Sequence, residues 1–555
     1  MKHHFPFFTA NPSVTYLDSA ATTQRLQHVI DSNQRFLATD NATVHRAAYR
    51  KATLATETYE SSRAVLAKLI NANSDEIVFT SGATESINMI ADGLSTSNLV
   101  GTKILVCASE HHANLLPWQK LAKRLDLSIE VLPLSENGTF SPTTFEQWVK
   151  LIDEDVCLIA CAHVSNVLGN IYPIKQLCLL ANKYNAITVI DGTQAVAHLS
   201  VDMTDLNCDF YVFSGHKMYG PTGVGILFGK YHQLATMQVS KLGGEMVSNV
   251  SYQTFTAQPP PLKFEAGTPN ITGVIGIKHA ALFLMENFHQ IISHERRLSQ
   301  YLLQQLRKVN DLRILGNIGL SSVLNESAQI NTNENIEAPE GNIGIVSFIH
   351  ESADNHSLAE QLWHQDISLR YGHHCAMPLL SSLALGACLR ISLGAYNDKT
   401  DVDRFISALL HSLGDIKNND KKSLLLKNEM QERPSNEKAL IDDIIQASDW
   451  STKHRALLLL SKCLKTLPQE ERNELSAIDG CEAAVWLRFN VEHGWQAYSD
   501  SKVIRGILAL LLYVTKAGNK VNYSNYLEEL GLSSYFSVGR RDGVNKIISR
   551  LQSVL

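Results

Sequence analysis

Seven short segments between residues 76 and 228 are almost continuously apolar: EIVF, KILVCA, SIEVLPL, VCLIACAHV, AITVID, FYVF and GVGILF. A strand without a polar face must be covered on both sides. Stretches with apolar residues at helical spacing, such as TETYESSRAVLAKLI before the first segment and ATESINMIADGL after it, supply that cover. The alternation therefore predicts an α/β layer on a mainly parallel sheet. From about residue 280 longer helices are interrupted by only a few strands (GIVSFIH, CLRISLGAY), which predicts a smaller α+β lobe. Inside that lobe NESAQINTNENIEAPEGN (325–342) has no periodicity and reads as a mobile surface insertion.

A second break falls at GDIKNNDKKSLLLKNEMQERPSNEK (414–438), polar and charged, and predicts a linker over 416–434. Beyond it the helical stretches ALIDDIIQASDW, STKHRALLLLSKCLKTL and KVIRGILALLLYVTKAG accompany an alternating pair of strands in AAVWLRFNVEHGWQAYSD. Residues 435–555 can therefore fold as a separate α+β domain. The full length of 555 residues agrees with several units of ~150 residues. A net charge of −6 provides no general basic surface, so nucleic acid is not an expected partner. The 9 cysteines are scattered and odd in number, which suits a reducing compartment rather than a disulfide framework. MKHHFPFF lacks the features of a signal peptide, and the longest apolar run, GILALLLYV from Gly506, is about half of a bilayer span. A cytoplasmic protein with no membrane association is expected.

In open parallel sheets ligands bind outside the carboxyl ends of the strands. Here those ends carry Thr80-Ser81-Gly82-Ala83-Thr84, Glu110-His111-His112, Ser165-Asn166, Asp191-Gly192-Thr193-Gln194 and Ser214-Gly215-His216-Lys217. A lone lysine is most often a solvated surface charge. A lysine leaving a buried strand beside four other polar strand ends is better read as a phosphate ligand or a Schiff-base amine. The set fits pyridoxal phosphate (PLP). Ser81 to Thr84 opens a helix whose free N–H groups suit a phosphate; Ala83 and Thr84 form that cradle, with Ser214 and His216 as further donors. Asp191 is placed under the pyridine nitrogen, keeping the ring an electron sink. On this reading His112 stacks on the ring, Asn166 and Gln194 hydrogen-bond its phenolic oxygen, and Lys217 holds the cofactor covalently.

Most buried thiols behave as small hydrophobes, the expectation for Cys107, Cys157, Cys161 and Cys208. The pair Cys157 and Cys161 lies in an apolar strand without a matching ligand pair, so no metal site is expected. Cys375 differs: it follows Arg370, Gly372, His373 and His374, and nearby cations favour the reactive thiolate.

The motifs YLDSAATTQ (16–24), SGATESIN (81–88), EHHANLLPWQ (110–119), HVSNVLGN (163–170), DGTQAV (191–196), CDFYVFSGHKMYGPTGVGIL (208–227), FEAGTPNI (264–271) and RYGHHCAMP (370–378) together resemble the class II cysteine desulfurases of the SufS and CsdA kind, over roughly residues 10–412. The resemblance implies a fold-type I PLP-dependent transferase over residues 1–415. Its large domain, about 25–280, would hold a mainly parallel seven-stranded sheet; the small domain would combine the N-terminal segment with about 281–415. It also implies a homodimer in which Thr268 of one subunit reaches the PLP phosphate of the other. In the implied reaction Arg390 grips the carboxylate of L-cysteine with its guanidinium fork, with Asn166 and Arg370 as further substrate contacts. Lys217 removes the Cα proton, His112 shuttles protons, and Cys375 takes the sulfur as a persulfide while L-alanine leaves. The chain departs from the family at Tyr371, where threonine is usual, and at Ala47 after His45-Arg46, where glycine is usual. The first departure puts the position of the nucleophile loop in question.

In the tail, IDGCEAAVWLRF (478–489), ASDWSTKHRALLLLSKCLKTLP, YSDSKVIRGILALLLY and SVGRRDGVNKII resemble a SufE-type sulfur acceptor. That resemblance implies that Cys481 receives the sulfur from Cys375 and passes it to acceptors such as iron–sulfur scaffold proteins. Arg505, Arg540 and Asp500 match polar positions of that family, and Cys463 reads as core. A coil linker of about 20 residues reaches ~25 Å, so transfer within a subunit or across the dimer both stay open. The alternatives are a selenocysteine lyase on the same fold and a non-catalytic docking scaffold for sulfur-transfer proteins. Retention of Lys217, Asp191, Cys375 and Arg390 speaks against the scaffold.

Overall fold

Each of the seven apolar segments forms a strand of one sheet: β1 (Ile77–Thr80), β2 (Lys103–Cys107), β3 (Ser128–Leu132), β4 (Val156–Ala162), β5 (Ile187–Asp191), β6 (Phe210–Ser214) and β7 (Gly225–Gly229). The spatial order is β1-β7-β6-β5-β4-β2-β3. Only β7 runs against its neighbours, pairing antiparallel with both β1 and β6, while the remaining pairs are parallel. The carboxyl ends of β1 to β6 therefore lie along one edge. Every residue of β4, β5, β6 and β7 is buried, because helices cover both faces.

The computed structural model describes residues 1–316, 342–430, 437–447, 450–478, 484–491, 494–516, 523–532 and 538–552. These form two compact units, Met1–Lys421 and Lys422–Leu555. In the first unit the long helix Ile271–Leu306 leads from the large sheet to a second, antiparallel sheet. Its strands β8 (Leu312–Leu315), β9 (Ile345–His350), β10 (Arg370–Gly372) and β11 (Cys388–Ser392) lie in the order β8-β9-β11-β10. The N-terminal segment joins this lobe: Thr15 and Tyr16 pair in parallel with Ile367 and Ser368, and Asp18 bridges to Ser392.

The second unit packs the helices Glu437–Gln446, Trp450–Leu460, Lys502–Lys516, Tyr523–Glu529 and Val538–Gln552 with a hairpin of β12 (Val485–Asn490) and β13 (Gly494–Ser499). Ile507, Leu508, Leu510 and Leu511 of the apolar run are fully buried in its core. Gly506 lets Lys502–Lys516 lie close against Trp450–Leu460, since a Cβ there would lie 2.2 Å from the Leu457 carbonyl oxygen.

One expectation changes on contact with the structure. The segment 416–434, expected as a linker, is helical through Met430. Lysine and leucine are good helix formers whatever their solubility, which a reading from polarity undervalued; the coil reach above does not apply to this stretch. Residues 431–436 lie outside the described residues, as does the 325–342 insertion apart from Asn342. Among the described residues no helix is long and apolar enough to cross a membrane.

Candidate active site

The polar strand ends converge on a cavity of about 250 Å³. Ala83, Thr84, Asn166, Asp191, Gln194, Ser214, His216 and Lys217 line it from the large sheet, and Arg370, Cys375 and Arg390 from the small lobe. At one end the helix Ala83–Gly93 begins after Gly82, and the Ala83 N–H donates to Ser214 Oγ at 2.9 Å. His216 Nδ1 lies 3.2 Å from Thr22 Oγ1. Burial, with Lys217 and Arg25 nearby, lowers the His216 pKa to about 4, so the ring is neutral at ordinary pH.

Asp191 ends β5 and accepts from the Thr193 N–H at 2.9 Å. The next residue must be glycine, because a Cβ on Gly192 would lie 1.9 Å from the Tyr211 ring. Asn166 Nδ2 donates to the His374 carbonyl (2.9 Å), and Gln194 Nε2 donates to the Ala20 carbonyl (2.8 Å). Lys217 leaves β6 through the turn Gly215–Lys217. Burial lowers its pKa to about 8, with Asp191 opposing the shift and Arg390 and Arg370 adding to it.

Cys375 sits in a tight loop in which His374 and Cys375 have φ of 51° and 55°. Left-handed backbone at non-glycine residues costs ~1–3 kcal/mol each and persists where surrounding contacts enforce it. Those contacts are present. The His112 N–H donates to the Cys375 carbonyl at 2.7 Å, the Met377 N–H donates to His112 Nε2 at 3.2 Å, and the Cys375 N–H donates to His373 Nδ1 at 3.1 Å.

His112 therefore clasps the nucleophile loop, and the cavity wall carries His111 instead. This corrects the two roles expected of His112, stacking on the cofactor and shuttling protons. His111 caps the short turn His112–Asn114, its extended backbone and the Ala113 N–H donated to Nδ1 fixing the ring. Burial, followed by the charge of Lys217, lowers its pKa to about 4. Two adjacent histidines offered no sequence signal to choose between them. Just before them, Glu110 accepts from the Ala162 N–H and Asn114 Nδ2, both at 2.7 Å, anchoring this turn to the end of β4.

Sequence reasoning placed Thr193 at a strand end without giving it a role, and it gave none to Asp18. Thr193 lines the cavity, and Asp18 links Arg370 to Arg390. Tyr371 points away from the cavity. As the middle residue of β10 it packs against His356, with ring centroids 5.4 Å apart, so the departure from threonine falls on the opposite face. The Cys157 and Cys161 pair is split by a bulge, since Lys103 pairs with Val156 but Ile104 with Leu158. The two thiols consequently pack into different cores. Cys161 instead lies with Cys107 and Glu110, their ligand atoms within 4.8 Å of one another, but both Glu110 oxygens are engaged as described.

The profile described as Aminotransferase class-V matches residues 15–405, and that of SufE, the Fe-S metabolism associated domain, matches 438–555. A probable cysteine desulfurase of Pseudomonas putida is 42% identical over 397 residues, which is 71% of this chain and 92% of the relative. The solved cysteine desulfurase CsdA of Escherichia coli is 33% identical with a TM-score of 0.66, covering 75% of this chain and 98% of that one. The apo cysteine desulfurase of Thermococcus onnurineus is 30% identical, also with a TM-score of 0.66, over 75% of this chain and 97% of that one. The chain belongs to the class-V aminotransferases. Within that family it groups with the cysteine desulfurases, and a SufE domain follows.

The cofactor of the family is PLP, and this cavity fits it. A helix N-terminus with serine and histidine beside it would hold the phosphate, and Asp191 would face the ring nitrogen. Thr193 Oγ1, His374 Nδ1 and Arg390 Nε on its walls are buried polar atoms with no hydrogen-bond partner among the described residues. Such atoms are costly unless a ligand satisfies them. The cofactor-free protein should take up PLP at a rate that rises through about pH 8, as the Lys217 amine loses its proton. Appearance of the visible band against pH measures this; a midpoint near the ordinary lysine value of ~10.4 would show that burial does not tune the amine.

Thr268 lies exposed, outside the cavity wall of its own chain. Its loop is pinned by Glu265, which accepts from Arg63 Nη1 (2.7 Å), the Phe79 N–H (2.8 Å) and Tyr59 Oη (3.0 Å). In the second unit Cys481 lies outside the described residues, as does the side chain of Arg540. Arg472 and Arg505 both approach the Tyr498 ring, at 3.4 and 5.3 Å from its centroid, and the Asp500 N–H donates to the Ala484 carbonyl.

Proposed function

We propose that this protein takes sulfur from L-cysteine, releasing L-alanine, and carries it first on Cys375 and then on Cys481. The observation that carries the reading is the meeting of Cys375, Lys217 and Arg390 around one cavity, with Cys375 the sole thiol among the residues that line it. PLP, when bound, supplies the electron sink that makes the amino-acid Cα–H acidic. Arg390 holds the substrate carboxylate, and its own position is set by the Asn166 carbonyl, which accepts from Nη1 at 2.9 Å. Lys217 Nζ takes the Cα proton, helped by a proton affinity lowered to about 8.

Cys375 Sγ attacks the substrate sulfur. A sulfur–sulfur bond forms and the substrate Cβ–S bond breaks, so that L-cysteine and a thiol give L-alanine and a persulfide without any external oxidant. The Cys481 thiolate then takes the terminal sulfur and the Cys375 thiol is restored. A tether raises the effective concentration of this second thiol up to the millimolar range. The remaining parts of the reading are a cytoplasmic homodimer, with Thr268 serving the partner's phosphate site, and a downstream acceptor in iron–sulfur cluster assembly.

The test is incubation with sulfur-labelled L-cysteine, followed by mass spectrometry of a timed digest. Label should pass through Cys375 to Cys481. In Cys481→Ser it should stay on Cys375, with a single turnover intact and steady-state alanine release slowed under mild reductant. Label that never reaches Cys481 would make the tail a docking module instead.

A further inference from the structure

Arg370 and Arg390 face each other directly on the antiparallel strands β10 and β11. Two like charges at opposed positions repel, and Arg390 is buried. An anion placed between the two offsets that repulsion and fixes their geometry. That anion is Asp18. Its Oδ1 lies 3.1 Å from Arg390 Nη2, and its Oδ2 lies 3.1 Å from Arg370 Nη2 and 3.2 Å from Arg370 Nε.

Asp18 is itself rigidly placed. Its carbonyl accepts from the N–H groups of Ala21 and Thr22, and the residues on either side of it hydrogen-bond to Ser392, two residues beyond Arg390. With Nη1 bound to the Asn166 carbonyl and Nη2 to Asp18, the guanidinium is held at two corners. Nε is buried and has no hydrogen-bond partner among the described residues. A guanidinium fixed in this way offers a substrate carboxylate an oriented donor rather than a mobile charge.

We infer that Asp18 is a positioning residue for the substrate carboxylate, acting through the opposed pair Arg370 and Arg390. The inference rests on the reading of Arg390 as the carboxylate clamp. Asp18 would make no contact with the sulfur or with Lys217, so its loss should be felt in binding of the carboxylate and little in the chemistry that follows.

The test uses the PLP-loaded full chain and compares Asp18→Asn with the parent. Binding of L-alanine and of L-alaninamide, which lacks the carboxylate, is followed through the absorbance of the bound cofactor. L-alanine affinity should fall ~10-fold, the scale of one charge-assisted hydrogen bond, while L-alaninamide affinity stays within about twofold. For L-cysteine the KM should rise by a similar factor, with kcat little changed. Unchanged or tighter L-alanine binding would overturn the inference, since Asp18 would then compete for the arginines rather than place them. Equal weakening of both ligands would overturn it too, as general damage to the site. If the parent itself binds the acid no better than the amide, it is the assignment of Arg390 that fails.

Discussion

Replacing Lys217 with alanine should remove the visible absorption band of the bound cofactor and lower L-alanine formation by on the order of 10³-fold or more, because in the proposed mechanism one side chain both tethers the cofactor and moves the Cα proton. The structure places this amine beside Cys375 and among Asp191, Arg370 and Arg390, whose charges act on it. Added methylamine should restore part of the proton transfer but not the tether. An unaltered spectrum in Lys217→Ala would assign the cofactor to a different lysine.

Cys375→Ser is expected to separate binding from sulfur transfer. The cofactor band and its response to L-cysteine should persist, since neither uses the thiol. Alanine release under mild reductant should fall by ~10³-fold or more, as the loss of a nucleophile does. No persulfide should form at position 375, and none at Cys481. Normal production of alanine and sulfide by the variant would place the acceptor thiol elsewhere. The loop itself should stay in place, because its contacts to His112, Asn166 and His373 are made by atoms other than Cys375 Sγ.

Much of this site was legible before any coordinates, for a reason visible in Asp191 and Lys217. Both leave apolar strands at their carboxyl ends, and a parallel sheet collects such ends on one edge whatever the details of its loops. The same logic placed Thr84, Asn166 and Ser214. It failed for His111 and His112, where the turn His112–Asn114 decides which ring faces the cavity and which clasps the Cys375 loop. Strand phase failed in the same way at Cys157, where one bulge moves two thiols to opposite faces of the sheet.

Periodicity and residue chemistry by themselves determined the layered α/β architecture, the second compact unit, and Asp191 and Lys217 as strand-end candidates, because each depends on burial patterns that repeat locally along the chain; the roles expected of Arg390 and Cys375 came from the family resemblance. Only the tertiary structure decided which histidine lines the cavity, that Tyr371 turns away from it, and that Asp18, more than 350 residues from either arginine, bridges Arg370 to Arg390. Those are matters of register and side-chain direction across elements far apart in the chain. A one-residue shift of a strand reverses them, and no local pattern encodes the pairing that prevents it.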